Sequence, residues 1–293
     1  MYDTAIVGTG PAGLSAALNL QLHEKSLLWF GSKQMSDQVE KAEQIVNYPG
    51  FGSLTGRQLN EKFREQAVQR GLSITEQKVT SVMAAGDHFM LLADQDVYEV
   101  RTVLLATGLT REKGFEGEKR LLGNGVSYCA TCDGFLYKGK TIVVYCGNPR
   151  YESEVDYLAQ LAKKVYLSTP YRECGIDSPN VERLEAPIRE VQGQQRVEAV
   201  LLSNGRTLLT DGLFCLRTSV APETLAPGLN LEGPHIVVSR AMETNLPGCF
   251  AAGDCTGRPY QITKAVGEGN VAAHSILDYL SKVAKNKNGK TDA

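Results

Sequence analysis

The sequence predicts an α/β fold with a nucleotide-binding-type sheet and room for two domains. Three observations predict it. A glycine-rich turn, Gly8-Thr9-Gly10-Pro11-Ala12-Gly13, stands between a short apolar strand and a helical stretch at the start of the chain. Two further buried-strand patterns, Thr102–Gly108 and Cys249–Asp254, end in small residues suited to bringing the chain back beside that turn. The 293 residues suffice for two domains of ordinary size, each with its own core.

Composition narrows the function. With 42% hydrophobic and 22% charged residues the chain has the make-up of a soluble globular protein. A net charge of −2 makes no electrostatic case for nucleic acid or a membrane surface. No apolar run approaches the ~20 residues of a membrane span. Met1-Tyr2-Asp3-Thr4 leads straight into a strand-like run, so no cleavable signal is expected. Seven cysteines, an odd number, do not look like a secreted framework, which points to a reducing, cytoplasmic setting and a catalytic cysteine pair.

Thr4 to Val7 reads as the first strand and Leu14 to Leu22 as a helix. In the intervening G-x-G-x-x-G, Gly8 permits the tight turn and Gly10 lets backbone approach a pyrophosphate. Gly13 lets the helix pack on the strand, and the helix amino terminus, opened by Pro11 and Ala12, faces the phosphate charge. Ser26 to Phe30 is the second strand. It ends in Gly31-Ser32 without the acid that often holds a ribose, so Ser32 or backbone must serve instead. Val46 to Gly52 is a turn-rich loop. Leu59 to Arg70 is an amphipathic helix carried by Leu59, Phe63, Ala67 and Val68, and Val79 to Val103 is a meander of short strands.

Tyr128-Cys129-Ala130-Thr131-Cys132-Asp133-Gly134 carries the chemistry. A C-x-x-C closes a small reversible disulfide in which one sulfur attacks and its neighbour resolves. Asp133 stands where it can hold the proton a leaving thiolate needs. The competing reading is half of a zinc site, but zinc wants four ligands. The other cysteines form no second such pair, and the four histidines are scattered, so no metal is expected. Near the carboxyl end, Asp254 suits either a ribose or ribityl hydroxyl or a helix cap. Val271 to Leu280 reads as an apolar helix, and Lys282 to Ala293 as a fraying tail.

Taken together, Gly8-Thr9-Gly10-Pro11-Ala12-Gly13, Asn47-Tyr48-Pro49-Gly50, Ala106-Thr107-Gly108, Cys129-Ala130-Thr131-Cys132-Asp133-Gly134 and Ala251-Ala252-Gly253-Asp254 resemble, in order, the low-molecular-weight thioredoxin reductases, which are pyridine-nucleotide-disulfide oxidoreductases. The resemblance spans nearly the whole chain. It implies two Rossmann-like, three-layer domains: a discontinuous FAD domain of about 1–113 and 226–293, and a smaller redox domain of about 114–225 inserted between them. It implies FAD held by the Gly8–Gly13 turn, by Gln38, Asn47, Ala106, Thr107, Gly108, Gly253 and Asp254, and by Gln261 and Ile262. It also implies that Cys132 faces the flavin, that Cys129 attacks a thioredoxin-like protein, that Asp133 is acid and base, and that the chain is a homodimer.

The inserted domain departs from the family pattern. After the strand Lys140–Tyr145 the family continues G-x-G-x-x-A; here Cys146, Asn148 and Tyr151 fill those positions, and Pro149 removes an amide. After Lys164–Ser168 the family's arginine run is replaced by Thr169-Pro170-Tyr171-Arg172-Glu173-Cys174-Gly175. Both anchors of NADPH are missing, which resembles the NADPH-independent branch, the ferredoxin-dependent flavin thioredoxin reductases. The expectation is therefore a flavin-dependent thioredoxin-disulfide reductase fed by ferredoxin. Its alternatives are an NADPH enzyme with a divergent site and a flavin-bound redox sensor that does not turn over.

Overall fold

The computed structural model describes residues 1–109, 114–217 and 220–288. The chain divides into two units, one of Met1–Thr110 with Ala221–Ala293 and one of Arg111–Val220.

The first unit opens with β1 (Tyr2–Val7), α1 (Pro11–Leu22) and β2 (Leu27–Phe30). Proline suits the first turn of α1, where its missing N–H would have no helical partner. The short α2 (Asp37–Glu40) is capped by Ser36, whose Oγ accepts from the Val39 N–H at 3.3 Å. α3 (Gly56–Gln69) starts with a reciprocal cap. Thr55 Oγ1 accepts from the Gln58 N–H at 3.2 Å, and Gln58 Oε1 accepts from the Thr55 N–H at 2.8 Å. Leu59, Phe63 and Ala67 turn inward as their spacing requires. Val68 does not; it lies one residue further round the helix and is 70% exposed.

β3 (Val79–Ala85), β4 (His88–Ala93) and β5 (Asp96–Leu105) form the expected antiparallel meander. β5 changes partners along its length. Its first half pairs with β4 up to Phe89↔Val100, and its second half runs parallel to β1, ending at Val7↔Leu105.

The second unit contains β6 (Val126–Ser127), α4 (Ala130–Asp133), β7 (Thr141–Cys146), α5 (Glu152–Leu161), β8 (Lys164–Ser168) and β9 (Val181–Arg183). The antiparallel trio β10 (Ile188–Gln192), β11 (Ala199–Leu202) and β12 (Thr207–Leu209) follows, and then β13 (Gly212–Leu216). The main sheet is parallel throughout, in the order β6-β13-β7-β8-β9. Both faces are covered, which is why its strands read as unbroken apolar runs. Ile142 and Val144 pack with α5 residues Val155 and Leu158, while Val143 and Leu213 pack with Val191, Val200 and Leu202 of the trio.

Back in the first unit come α6 (Pro222–Leu225), β14 (Leu231–Glu232), β15 (His235–Ile236), β16 (Cys249–Ala251) and α7 (Ile262–Asn288). β16 runs parallel to β5, with Ala251 opposite Leu105. α7 starts well before the expected Val271. Its glycines do not delay it because one is required: a Cβ on Gly269 would lie 2.2 Å from the Ala12 carbonyl, so α1 and α7 touch backbone to backbone. The helix also continues through 282–288, where fraying was expected; residues 289–293 lie outside the described residues. Among the described residues no helix is long and apolar enough to cross a membrane.

Candidate functional site

In the first unit, three strands stop level at Val7, Leu105 and Ala251. The loops that follow, 8–13, 106–108 and 252–254, therefore emerge side by side at the carboxyl edge of parallel strands, where open α/β sheets take ligands. Gly8 has φ +122°, and a Cβ there would lie 2.1 Å from the Ala106 carbonyl and 3.3 Å from the Thr107 nitrogen. A Cβ on Gly13 would lie 2.0 Å from the Gly8 carbonyl. Gly253, φ +91°, lies against the Ala12 methyl. These glycines are required by the close approach of the three loops.

Gly10 is different. Among the described residues nothing lies within 4 Å of where its Cβ would stand, and it caps α1 without any side-chain hydrogen bond. The helix thus begins at open space with its first amides unclaimed by a capping side chain, as phosphate binding requires.

The remaining expected contacts are distributed around this edge. Asn47 Nδ2 donates to Gln261 Oε1 at 3.0 Å, which joins the Asn47 loop to the start of α7 at Ile262. Asp254 is half-buried and opens a short 3₁₀ turn, Asp254–Thr256; it lies too far before Ile262 to be the α7 cap. Gly108 has φ +68°. Gln38 sits exposed on α2, apart from these contacts.

Two supports escaped the sequence reading. Trp29 is fully buried, and its Nε1–H donates to the Gly8 carbonyl at 2.9 Å, which pins the glycine turn from below. Lys264 donates to the carbonyls of Gly253 and Gly257 at 2.8 Å and to Thr256 Oγ1 at 2.9 Å, and pairs with Glu268 at 3.1 Å. Glu268 in turn accepts from the Gly253 N–H at 2.9 Å. The i, i+4 spacing of Lys264 and Glu268 was the available signal, but only the fold aims it at the loop.

In the second unit, Cys129 and Cys132 form a disulfide, with Cα atoms 5.3 Å apart. Cys129 caps α4: its Sγ accepts from the Cys132 N–H at 3.1 Å, and its own N–H donates to Ser127 Oγ at 3.1 Å. Gly134 lets the turn press on α5, since a Cβ there would lie 3.0 Å from Tyr157 and Leu158. Cys129 is buried, and Cys132 and Asp133 are half-buried. Cys146, Cys215, Cys249 and Cys255 are buried free thiols. Burial pushes the Cys249 thiol up to about 12 and the Cys255 thiol up to about 11, which keeps both protonated and unreactive.

The loop after β7 is filled by the protein itself. The Tyr171 hydroxyl donates to Cys146 Sγ at 3.2 Å, and the Cys146 thiol donates to the Asn148 carbonyl at 3.3 Å. Burial pushes both the Tyr171 hydroxyl and the Cys146 thiol up, so both keep their protons. Asn148 Oδ1 takes the Arg150 N–H at 3.1 Å, and Glu152 Oε2 takes the Gly175 N–H at 3.0 Å. Tyr151 occupies a 3₁₀ turn, Pro149–Tyr151, so α5 starts only at Glu152. Arg183 ties the 169–172 segment down through the Arg172 carbonyl and Thr169 Oγ1. The Arg150 amide and the Tyr151 amide, which donates to the Asn148 carbonyl at 3.0 Å, are thus spent internally, and the Glu152 carboxylate follows them in the chain.

Comparison with known proteins agrees with this geometry. The pyridine nucleotide-disulphide oxidoreductase family model matches residues 2–148 and 180–269, breaking off over the stretch that holds Tyr151, Glu152 and Tyr171. A thioredoxin reductase of Bacillus subtilis is 32% identical, with 97% of this chain and 96% of that protein covered. Among solved structures, a ferredoxin-flavin thioredoxin reductase from Clostridium acetobutylicum is 41% identical, with 97% of this chain and 98% of that chain covered and a TM-score of 0.92. A thioredoxin reductase from Gloeobacter violaceus is 30% identical, with 96% and 94% covered and a TM-score of 0.81. With two loops converging on an open glycine turn, a disulfide in C-x-x-C spacing, and relatives at 30% identity or more along almost its whole length, the chain belongs to the pyridine nucleotide-disulphide oxidoreductases and, within them, to the thioredoxin reductase family.

Proposed function

We propose that this chain is an FAD-dependent disulfide reductase that reduces thioredoxin or a similar small protein, with electrons delivered by ferredoxin instead of NADPH. The observation that carries the choice of donor is the self-filled loop: Tyr171, Cys146, Asn148 and Glu152 bond to one another's segments where a pyridine nucleotide's pyrophosphate would need free amides. The likeness to a ferredoxin-flavin thioredoxin reductase supports the same choice.

FAD fits the first unit. The uncapped start of α1 and the open space at Gly10 would receive its pyrophosphate. Gly8, Pro11, Ala12, Gly13, Ala106, Thr107, Gly108, Gly253 and Asp254 line the converging loops. Asn47, Gln261 and Ile262 form the join beside them, and Gln38 stands on α2. When bound, FAD supplies a carrier that takes electrons singly or in pairs and passes on two. The Cys129–Cys132 disulfide accepts two electrons and two protons and opens to the dithiol. Cys129 attacks the substrate disulfide, forming a mixed disulfide and releasing one substrate thiolate. Cys132 then attacks Cys129 Sγ, which frees the second substrate thiol and restores the original bond. Asp133 holds the proton exchanged with the leaving thiolate. The same reading makes the first unit the FAD domain and the second the redox domain of a cytoplasmic homodimer.

The test is an anaerobic titration of the FAD-loaded protein followed at the flavin absorption band. NADPH and NADH should leave it unbleached, and reduced ferredoxin should bleach it and drive multiple turnovers with thioredoxin. Stoichiometric bleaching by NADPH would make this an NADPH enzyme. Bleaching without turnover would make it a redox sensor.

A further inference from the structure

A buried ion pair stands beside the disulfide turn, and the exchange chemistry does not use it. Parallel pairing places Phe214 of β13 opposite Ser127 of β6, and Cys215 opposite Tyr145 of β7. Tyr128, one residue past β6, and Arg217, one residue past β13, therefore leave the sheet on the same side as the Tyr145 ring. Glu118 completes the group. It is 1% exposed and Arg217 is 6% exposed. Glu118 Oε1 accepts from Arg217 Nη1 and from the Tyr128 hydroxyl, the latter at 2.8 Å. Glu118 Oε2 accepts from the Phe115 N–H at 2.7 Å. The Arg217 guanidinium lies over the Phe115 ring at 4.7 Å and the Tyr145 ring at 5.1 Å.

A carboxylate buried this deeply persists only where its charge and lone pairs are met. Here they are met by groups from the 115–118 segment and from the ends of β6 and β13, which locks those segments together. Tyr128 is the member of the group that a peptide bond joins to Cys129. Its hydroxyl is not a proton source for the exchange, since burial and the neighbouring Glu118 carboxylate push it up and hold its proton in place. On the other side of that peptide bond, Cys129 Sγ sits 3.1 Å from the Cys132 amide. Once the disulfide opens, that amide stands as a donor to a Cys129 thiolate, closer than the Thr131 hydroxyl at 3.5 Å, and it acts only while the turn keeps its shape.

We infer that Tyr128 is a positioning residue for disulfide exchange: anchored by its hydroxyl to the buried Glu118–Arg217 pair, it holds Cys129 where the Cys132 amide stabilises its thiolate. The inference rests on Cys129 and Cys132 being the redox couple.

The test uses full-length, FAD-loaded protein carrying Tyr128→Phe or Glu118→Gln. Each is reduced with dithiothreitol and freed of it. Two quantities are then measured: the rate at which the dithiol reacts with a small aromatic disulfide, and the equilibrium constant of the couple against oxidised and reduced dithiothreitol. Tyr128→Phe should slow the reaction about fivefold, the size of one net hydrogen bond, and shift the couple about threefold toward the disulfide, with FAD content unchanged. A rate and an equilibrium constant both within about 1.5-fold of the unaltered protein, on the same hydrogen-bond scale, would overturn the inference. So would a slower rate with an unchanged equilibrium constant, since that marks general loosening. Tyr128→Phe removes one hydroxyl from a packed ring and decides the matter alone if Glu118→Gln does not fold. The doubly substituted Cys129→Ser, Cys132→Ser protein separates the underlying reading: if it still reduces disulfides, the couple itself has been misassigned.

Discussion

Replacing Gly10 with alanine separates what the glycine turn does for the protein from what it does for its ligand. Gly10 has φ −71° and ψ −178°, an extended conformation open to any residue, and among the described residues no atom lies within 4 Å of the new methyl. Without ligand, Gly10→Ala should therefore be neutral, or stabilising by about 0.4–1 kcal/mol through the unfolded chain. On the proposed placement of FAD, the methyl would stand where the phosphates approach the backbone. Losing one charge-assisted hydrogen bond there costs about 2–3 kcal/mol, which weakens FAD binding about 30- to 150-fold.

Gly13→Ala is the contrasting case. Its Cβ would lie 2.0 Å from the Gly8 carbonyl, which already accepts from Trp29, so helix and turn must separate by well over an ångström to reach ordinary contact. That overpacking costs about 1–3 kcal/mol whether or not FAD is present. The assay is thermal unfolding of each apoprotein beside an FAD titration followed by flavin fluorescence. The reasoning fails if Gly10→Ala binds FAD as tightly as the unaltered protein, or if it lowers the apoprotein melting temperature as Gly13→Ala does.

Two further outcomes are expected. Lys264→Met removes three hydrogen bonds and the partner of Glu268, two side chains only 15% and 20% exposed. It should cost about 2–3 kcal/mol by chemical denaturation, and adding Glu268→Leu should recover part of that loss; a single variant as stable as the parent would remove the network from the loop's support. The thiols raised by burial make a pH prediction. With Cys255 pushed up to about 11, its thiolate is about one part in a thousand at pH 8 and grows tenfold per pH unit. Iodoacetamide applied to the native oxidised protein at pH 8 should therefore leave Cys249 and Cys255 unmodified, as read by peptide mass; rapid labelling of either would contradict their burial.

Much of the site was legible because it is local. Gly8 to Gly13 sits between a strand and a helix, and each glycine's task follows from the geometry of that turn. Cys129 and Cys132 stand at a spacing that closes a small disulfide, and the substitutions at Cys146, Asn148 and Tyr151 were visible against the expected small residues. Distant partners were not legible. That Asn47 bonds Gln261, that Trp29 holds Gly8, and that Tyr171 reaches Cys146 depends on segments brought together by sheet register, which a linear pattern does not contain.

The start of α7 shows the same division. Two glycines argue locally for a delayed helix, yet Gly269 is helical because α7 crosses α1 too closely for a side chain. The sequence by itself determined the α/β class, the glycine turn, the redox pair and the substitutions in the second glycine loop, because backbone conformation and thiol chemistry act over a few residues. Only the tertiary structure decided that the strands end level at Val7, Leu105 and Ala251, that Tyr171 reaches the loop after β7, and that a buried Glu118–Arg217 pair stands behind Tyr128. Those features rest on burial and long-range register, which exist only once the chain has closed around its cores.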